Sequence, residues 1–284
     1  MVEASFLHLR IHLSMKRAFL VICMFALASC SLVPPPELTL YQAAYSEAED
    51  ATESILSTYA RYEKRAQSVS TSAFDPDQAA LIAPGAAPPL TNLYRRGFTA
   101  VAKYNVILAR YAAGESISVL DDDFEALRTS LNRLTTALPG ISLPGEDIVT
   151  ASQTLVGIVL ARSDAEEFQR SVKENGPIIR DFLSIVRSDT TSMYDDAKIA
   201  VVKGVTTPKG AQKAASDLIV FREMLAGWVL LIDETKINLQ ALESAIENGP
   251  RRNSSIALLA ASTDRLAIYA ENIKVAQRQL EAAF

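Results

Sequence analysis

Tyrosines at regular spacing are the first feature of this 284-residue chain that could bind a ligand. Seven of the nine tyrosines follow helical spacing in two stretches of the N-terminal half: Tyr41, Tyr45, Tyr59, Tyr62, Tyr94, Tyr104 and Tyr111. They could line a crevice of the first two helices that stacks on and hydrogen-bonds a sugar, a peptide or an aromatic compound. The same spacing is that of a helix core, in which tyrosine hydroxyls reach the rim. We favour the core interpretation, because spacing alone explains it, and keep the crevice as the alternative.

A run of acids, Asp121, Asp122 and Asp123 followed by Glu125, could ligate a hard metal ion. The run lacks the alternation of acids and the glycine that a calcium loop requires. Acids in the first turn of a helix also stabilise it, because they complement the helix dipole. We therefore interpret the run as a helix start. No spacing among the other acids singles out an acid–base pair for glycan cleavage, so a carboxylate-only hydrolase receives little weight.

Two arginine pairs, Arg95–Arg96 and Arg251–Arg252, stand at predicted helix starts, where positive charge is mildly unfavourable. Such a placement could mark a contact with a phosphate or a lipid headgroup. The penalty is only about half a kcal/mol, so a solvated surface is the simpler interpretation.

The N-terminal residues have the pattern of an export signal. Lys16 and Arg17 precede an apolar run, 18–27, that is shorter than the roughly 20 residues of a permanent membrane helix. The Leu-Ala-Ser-Cys sequence at 27–30 resembles the lipobox of bacterial lipoproteins. This resemblance implies that the chain is cut before Cys30, that diacylglycerol is attached to the Cys30 thiol, and that the new amino group is often acylated as well, palmitate being one such acyl group.

The resemblance covers only the signal and informs location. Two or three acyl chains hold a protein at a membrane essentially permanently. Ser31, a residue other than Asp after the cysteine, implies the outer membrane, facing the periplasm. We therefore predict a signal peptide at 1–29, with Met15 as the alternative start, a lipidated cysteine and proline-rich spacer at 30–36, and a single helical-bundle domain at 37–284.

Removal of residues 1–29 would leave a chain without histidine and with Cys30 as its single cysteine. No Ser-His-Asp or Cys-His catalytic system can then be built, and zinc, copper and iron sites that draw on His and Cys are excluded. The formal charge of −5 becomes more negative, since the removed segment holds three basic residues and one acid. A negative chain without clustered Lys and Arg is not typical of nucleic-acid binding. We expect no cofactor, no transition metal and no nucleic acid.

Apolar residues at steps of three and four predict a first helix over 38–69, with no Gly or Pro inside it. After a proline-rich loop, we expect Thr91 to cap a second helix and Gly114 to end it. Ser118 is then expected to cap a third helix, whose apolar stripe runs over 120–138.

The middle of the chain holds an apolar run that is followed by two helix signals. The run 148–160 is apolar nearly all round, which predicts either a deeply buried helix or, less favoured, a strand. Ser163 and Glu166 form a capping-box pattern for the next helix. We expect that helix to end at Asn-Gly, 175–176, and Pro177 to open another.

Two long helices, over 211–246 and 256–284, keep the same spacing and must form an antiparallel hairpin. No stretch shows clear strand alternation. The predicted fold class is all-α: an elongated antiparallel helical bundle with coiled-coil-like heptad packing.

The function that these patterns favour is that of a non-enzymatic, lipid-anchored cell-envelope protein. It would attach to the membrane through acyl chains on Cys30 and act as a scaffold or interaction module for an envelope protein partner. The alternative is a ligand-binding helical bundle that uses the tyrosine-rich crevice of the first two helices.

Overall fold

The computed structural model describes residues 36–70, 88–136, 146–202, 205–247 and 253–282. The predicted signal peptide and Cys30 lie outside the described residues. The described residues are 92% helical and contain no strand, which confirms the all-α bundle. Their helices are α1 (Pro36–Ser70), α2 (Pro89–Ala112), a 3-10 turn (Ile117–Leu120), α3 (Asp121–Thr135), α4 (Glu146–Val156), α5 (Ala165–Val202), α6 (Pro208–Glu247) and α7 (Asn253–Ala282).

Helix α1 is buried at the spacing that the sequence predicts. It packs against α7, α5, α2 and α6, so it lies at the centre of the helical unit. Its predicted stripe is buried at Leu38, Tyr41, Tyr45, Ala48, Thr52, Ile55, Tyr59, Tyr62 and Ala66. The 3–4 periodicity therefore identified the core side of this helix correctly.

Helices α6 and α7 pack against each other along their length and confirm the predicted hairpin. Trp228 of α6 is fully buried, and its indole N–H donates to the Thr52 hydroxyl of α1 at 3.2 Å. Between the two helices of the hairpin, the buried Ser262 hydroxyl donates to the Asn238 side-chain oxygen. Heptad-type interlocking of the side chains remains a prediction.

The predicted helix break at Asn175, Gly176 and Pro177 is wrong, because α5 continues through all three residues. A proline inside a helix removes one backbone hydrogen bond and costs about 3 kcal/mol. The Asn175 side-chain amide donates to the Ser171 carbonyl at 2.6 Å and to the Val159 carbonyl at 2.9 Å, so this turn is tied both to its own helix and to the preceding segment. Packing on both sides of the proline thus outweighs the local stop signal.

The N-terminus of α2 is capped by another helix and not by Thr91. Glu63 of α1 accepts hydrogen bonds from the backbone N–H groups of Leu90 and Thr91, at 3.0 and 2.9 Å. The Thr91 hydroxyl donates to the same carboxylate at 2.7 Å. A buried carboxylate from α1 therefore satisfies donors that the first turn of α2 cannot satisfy by itself.

Two further predicted caps are wrong. Ser118 lies within the 3-10 turn that leads into α3, and it does not cap that helix. The cap of α5 is Asp164, whose carboxylate accepts from the Glu167 backbone N–H at 2.9 Å, and the Ser163–Glu166 pattern is not used in that way. For α5 the neighbouring Asp164 provides the cap, whereas α3 begins at Leu120 without a side-chain cap.

The predicted end of α2 at Gly114 is confirmed. Gly114 has a φ of 101°, a conformation that favours glycine because it has no side chain. The Glu115 N–H donates to the Arg110 carbonyl at 3.2 Å and the Gly114 N–H to the Tyr111 carbonyl at 2.9 Å, which is the Schellman pattern.

The apolar run 148–160 is helical only in its first part, within α4. The Gly157 N–H donates to the Thr154 carbonyl in a turn that ends the helix. The residues after it have no regular structure, and Val159 is 74% exposed. The helix interpretation is therefore confirmed over the strand, but the helix is shorter than predicted.

Candidate functional site

The predicted tyrosines mostly lie in the interior. Tyr41, Tyr45, Tyr59, Tyr62, Tyr94 and Tyr104 each expose 7% of their surface or less, and Tyr111 is partly buried. Tyr59 and Tyr94 bring α1 and α2 together, with ring centroids 6.3 Å apart. These are positions of core residues, which the 3–4 spacing of the tyrosines alone predicts.

The hydroxyls of these tyrosines meet acceptors that the sequence analysis did not identify. Tyr59 donates to Asp196 at 2.7 Å and Tyr94 to Asp189 at 3.0 Å, both on α5. Tyr41 donates to the side-chain oxygen of Asn105 on α2. Asp189 and Asp196 are seven residues apart and therefore share a helix face, which is the one sequence signal that could have found them.

Burial sets the ionisation of this network. Loss of solvent raises the pKa of Tyr59 and Tyr94 far above the ordinary value, and the nearby Asp196 and Asp189 raise it further. Burial also raises the pKa of both aspartates, against the lowering effect of the tyrosine hydrogen bonds. Within the described residues the Tyr62 hydroxyl is buried without a hydrogen-bond partner, and burial raises its pKa to about 12. The network is thus a structural element of the core.

Tyr45 lines a cavity of about 280 Å³ between α1, α2 and α6. The apolar part of this cavity comes from Leu56, Phe98 and Ile232, together with smaller residues. Its polar part comes from Tyr45, Glu49, Asp50, Thr52, Glu53, Arg95, Thr99, Lys103 and Thr235. We call it the α1–α2–α6 cavity. Tyr111 lines a second cavity, of about 580 Å³, beside Glu115 and Arg162.

Glu53 and Arg95 face each other across the α1–α2–α6 cavity. Arg95 donates to the two carboxylate oxygens of Glu53 at 2.7 and 2.8 Å, a bidentate pair. The hydrogen bonds from Arg95 and Ser57 hold the pKa of Glu53 below its ordinary value, against the opposing effect of burial. Partial burial raises the pKa of Glu49, and the nearby Lys103 opposes this rise.

The other predicted charge clusters are used for structure. Asp121, Asp122 and Asp123 stand in the first turn of α3, as predicted, and Asp123 pairs with Arg110 of α2. Arg96 donates to the Thr136 hydroxyl at 3.0 Å near the end of α3. The pair Arg251–Arg252 lies outside the described residues.

A row of exposed aliphatic residues runs along the side of α6 that points away from the core. Ile219, Ala226, Leu230 and Ile237 lie within about 40° of one another around the helix, since each residue advances by about 100°. Trp228 lies on the opposite side, in the core. Leu230 is 47% exposed.

Helix α7 carries a matching row at heptad spacing, formed by Ala261, Ile268 and Val275. Ile268 is 56% exposed. A row at this spacing lies along one side of a helix and could face a partner helix.

Contacts between the two helices place the two rows on one side of the hairpin. Glu234 and Arg265 each lie about 60° around their helix from the exposed row, and they pair with each other at 2.7 and 3.0 Å. Asn238 and Ser262 lie about 100 to 120° from the rows, and they meet in the interior. Both rows therefore flank the Glu234–Arg265 pair. We call the seven aliphatic residues of the two rows the outer face.

Within the residues that the structure describes, no three His, Cys, Asp or Glu side chains gather as a metal ion would require. None of the described helices combines the length and the apolar character of a membrane span. Comparison with known proteins gives no match: no family model fits the chain, and neither a curated protein nor a solved structure is significantly similar to it.

Proposed function

We propose that this protein is a non-enzymatic, lipid-anchored cell-envelope protein that binds a helical protein partner on the outer face of α6 and α7. The observation that carries the proposal is the exposure of aliphatic side chains in register on two adjacent helices. Exposed apolar residues rimmed by polar groups are one mark of interaction sites. The anchor rests on the lipobox-like residues 27–30.

The charges that border the outer face favour an apolar partner. Arg265 pairs with Glu234, Arg278 with Glu271 at 2.9 Å, and Asp233 with Arg187 at 2.9 Å. A partner therefore gains little from these three pairs, and we expect apolar contact to contribute to its binding energy.

The dimensions of the outer face suit a helix. Ile219 and Ile237 are separated by about 27 Å along the axis of α6, at 1.5 Å per residue. A partner helix with an apolar stripe can lie in the shallow groove between α6 and α7 over that length, as amphipathic helices do in other complexes. We therefore infer a partner that presents such a helix.

Site-specific photo-cross-linking in intact cells tests this function. A photoreactive residue at Leu230 or at Ile268 is expected to capture the same envelope protein, identified by mass spectrometry. Val159 is the matched control, because it is an exposed aliphatic residue outside the outer face. Capture of the same protein from Val159, or no capture from either outer-face position, would contradict the proposal.

The anchor is tested separately with labelled palmitate. Incorporation is expected in the native chain and not in the Cys30→Ala variant, and the variant is expected to lose the cross-link because it no longer resides at the membrane. Equal labelling of both proteins would rule out Cys30 as the acylated residue. The protein partner would then be tested by the cross-linking result alone.

A further inference from the structure

The α1–α2–α6 cavity has an apolar floor that continues into the core. Leu56 and Phe98 line it, and the Phe98 ring lies 5.6 Å from the Trp228 ring. Thr52 also lines the cavity and accepts the Trp228 indole N–H. The volume of about 280 Å³ is just below that of most small-ligand sites, which span roughly 300 to 1,000 Å³. The cavity thus has room for one side chain of the size of leucine or phenylalanine.

Three polar groups around this floor have no hydrogen bond or ion pair within the described residues. Only 6% of the Tyr45 residue is exposed, and its hydroxyl is one of these groups. The other two are Glu49 and Lys103: Lys103 lies near enough to Glu49 to oppose the rise of its pKa, but the two groups form no ion pair within 4.0 Å. The nearby Glu53 and Arg95, in contrast, already neutralise each other.

The charges of these groups indicate which kind of ligand fits the cavity. Glu49 and Asp50 are exposed at the open side of the cavity and give it two negative charges, and a carboxylate is stabilised by a cation that donates hydrogen bonds to it. Lys103 and the Tyr45 hydroxyl can both donate to an oxygen of the same ligand. A ligand that carries an ammonium group, a neighbouring carbonyl or carboxylate oxygen and an apolar side chain matches all of these groups.

We propose that this cavity binds the α-ammonium head and the apolar side chain of an amino acid or of a peptide amino terminus. Glu49 accepts from the ammonium group, Lys103 and Tyr45 donate to the adjacent oxygen, and the side chain lies on Leu56 and Phe98. The site is separate from the outer face, so its occupancy does not depend on the protein partner proposed above.

The chain contains its own reporter for this binding. Trp228 is the single tryptophan, and it touches Thr52 and Phe98, both of which line the cavity. L-leucinamide, which mimics a peptide amino terminus, is added to the purified full-length protein in detergent, and tryptophan fluorescence and calorimetry are recorded. We expect a saturable change with leucinamide and at least tenfold weaker binding of N-acetyl-leucinamide, which lacks the ammonium charge.

Free L-leucine distinguishes the two sources of this chemistry. Tighter binding of leucine than of leucinamide indicates a free amino acid, because Lys103 then meets a carboxylate. Tighter binding of leucinamide indicates a peptide amino terminus.

Two matched variants test the assignment of Glu49. Glu49→Gln is expected to weaken leucinamide binding at least tenfold, whereas Glu47→Gln, on the same helix but outside the cavity, is expected to change it less than twofold. Absence of saturable binding of both leucine and leucinamide at millimolar concentration would overturn the proposal. Equal binding of the acetylated probe, or an equal loss in Glu47→Gln, would also overturn it.

Discussion

The tyrosine-rich interior and the outer face place polar and apolar groups in opposite ways. Between α1, α2 and α5, phenol hydroxyls are buried, and two of them are paired with aspartates at 2.7 and 3.0 Å. On α6 and α7, aliphatic side chains without polar groups face solvent. A buried hydroxyl is costly unless it has a partner, and for Tyr59 and Tyr94 the interior provides one. No described residue covers the exposed aliphatic groups, which indicates that the two regions are built for different contacts.

Trp228→Ala has the largest expected effect and tests the inner side of α6. The substitution leaves a large cavity and removes the hydrogen bond to Thr52, so the free energy of unfolding is expected to fall by about 3 to 5 kcal/mol. Urea unfolding followed by circular dichroism measures the change. A loss below about 1 kcal/mol would contradict the interior position of this side chain.

Tyr59→Phe tests the paired hydroxyls of the interior. The substitution leaves Asp196 without its donor, and we expect a loss of about 1 to 3 kcal/mol in urea unfolding. Tyr62→Phe is the matched control, because its hydroxyl is buried without a partner and its removal should be near neutral or stabilising. Equal losses in the two variants would show that hydroxyl pairing is not what stabilises this region.

The pH dependence of stability tests the buried aspartates of the tyrosine-rich interior. Burial raises the pKa of Asp189 and Asp196 in the folded state, so their favourable contribution is complete below the unfolded pKa of about 4 and is lost as pH rises through the folded pKa. The melting temperature is therefore expected to rise as pH is lowered from neutral towards the unfolded pKa of about 4. Asp189→Asn should reduce that rise, as measured by calorimetry. A melting temperature that falls over this range would contradict the assignment.

Leu230→Gln has the smallest expected effect on folding. The residue lies on the outer face, and surface substitutions usually change the free energy of unfolding by no more than about 0.5 kcal/mol. Capture of the partner by a photoreactive residue at Ile268 is nevertheless expected to decrease. A large destabilisation would show that Leu230 belongs to the core, and unchanged capture would remove it from the binding surface.

Much of the fold could be predicted, because helical periodicity depends on local sequence. The stripe of α1 and the α6–α7 hairpin follow directly from apolar residues at steps of three and four. The end of α2 at Gly114 also follows from one residue, since it depends on a backbone conformation that glycine adopts easily.

Two of the errors arise where residues distant in sequence decide. Asn-Gly-Pro at 175–177 is a local stop signal, but contacts of Asn175 with another segment keep α5 continuous. Thr91 resembles a cap in sequence, whereas a carboxylate 28 residues earlier in the chain, that of Glu63, performs that role. No local pattern contains such information.

The candidate sites were predicted only in part. The spacing placed the tyrosines on helix stripes, but it did not distinguish Tyr45, which lines a cavity, from Tyr59, which is hydrogen-bonded in the core. The outer face was also missed. Its residues Ile219, Leu230 and Ile237 are visible in the sequence as a second apolar row on α6, but which row faces the core depends on the neighbouring helices.

The capping of α2 by Glu63 also affects the order in which the chain can be assembled. α1 is synthesised before α2. The Glu63 carboxylate that the first turn of α2 requires is therefore already present when Leu90 and Thr91 are synthesised. A circular permutant that begins at Pro89 would reverse that order and leave these N–H groups unpaired until the end of synthesis. Its refolding from denaturant should be close to that of the native chain. Its yield after synthesis on the ribosome should differ more from the native yield.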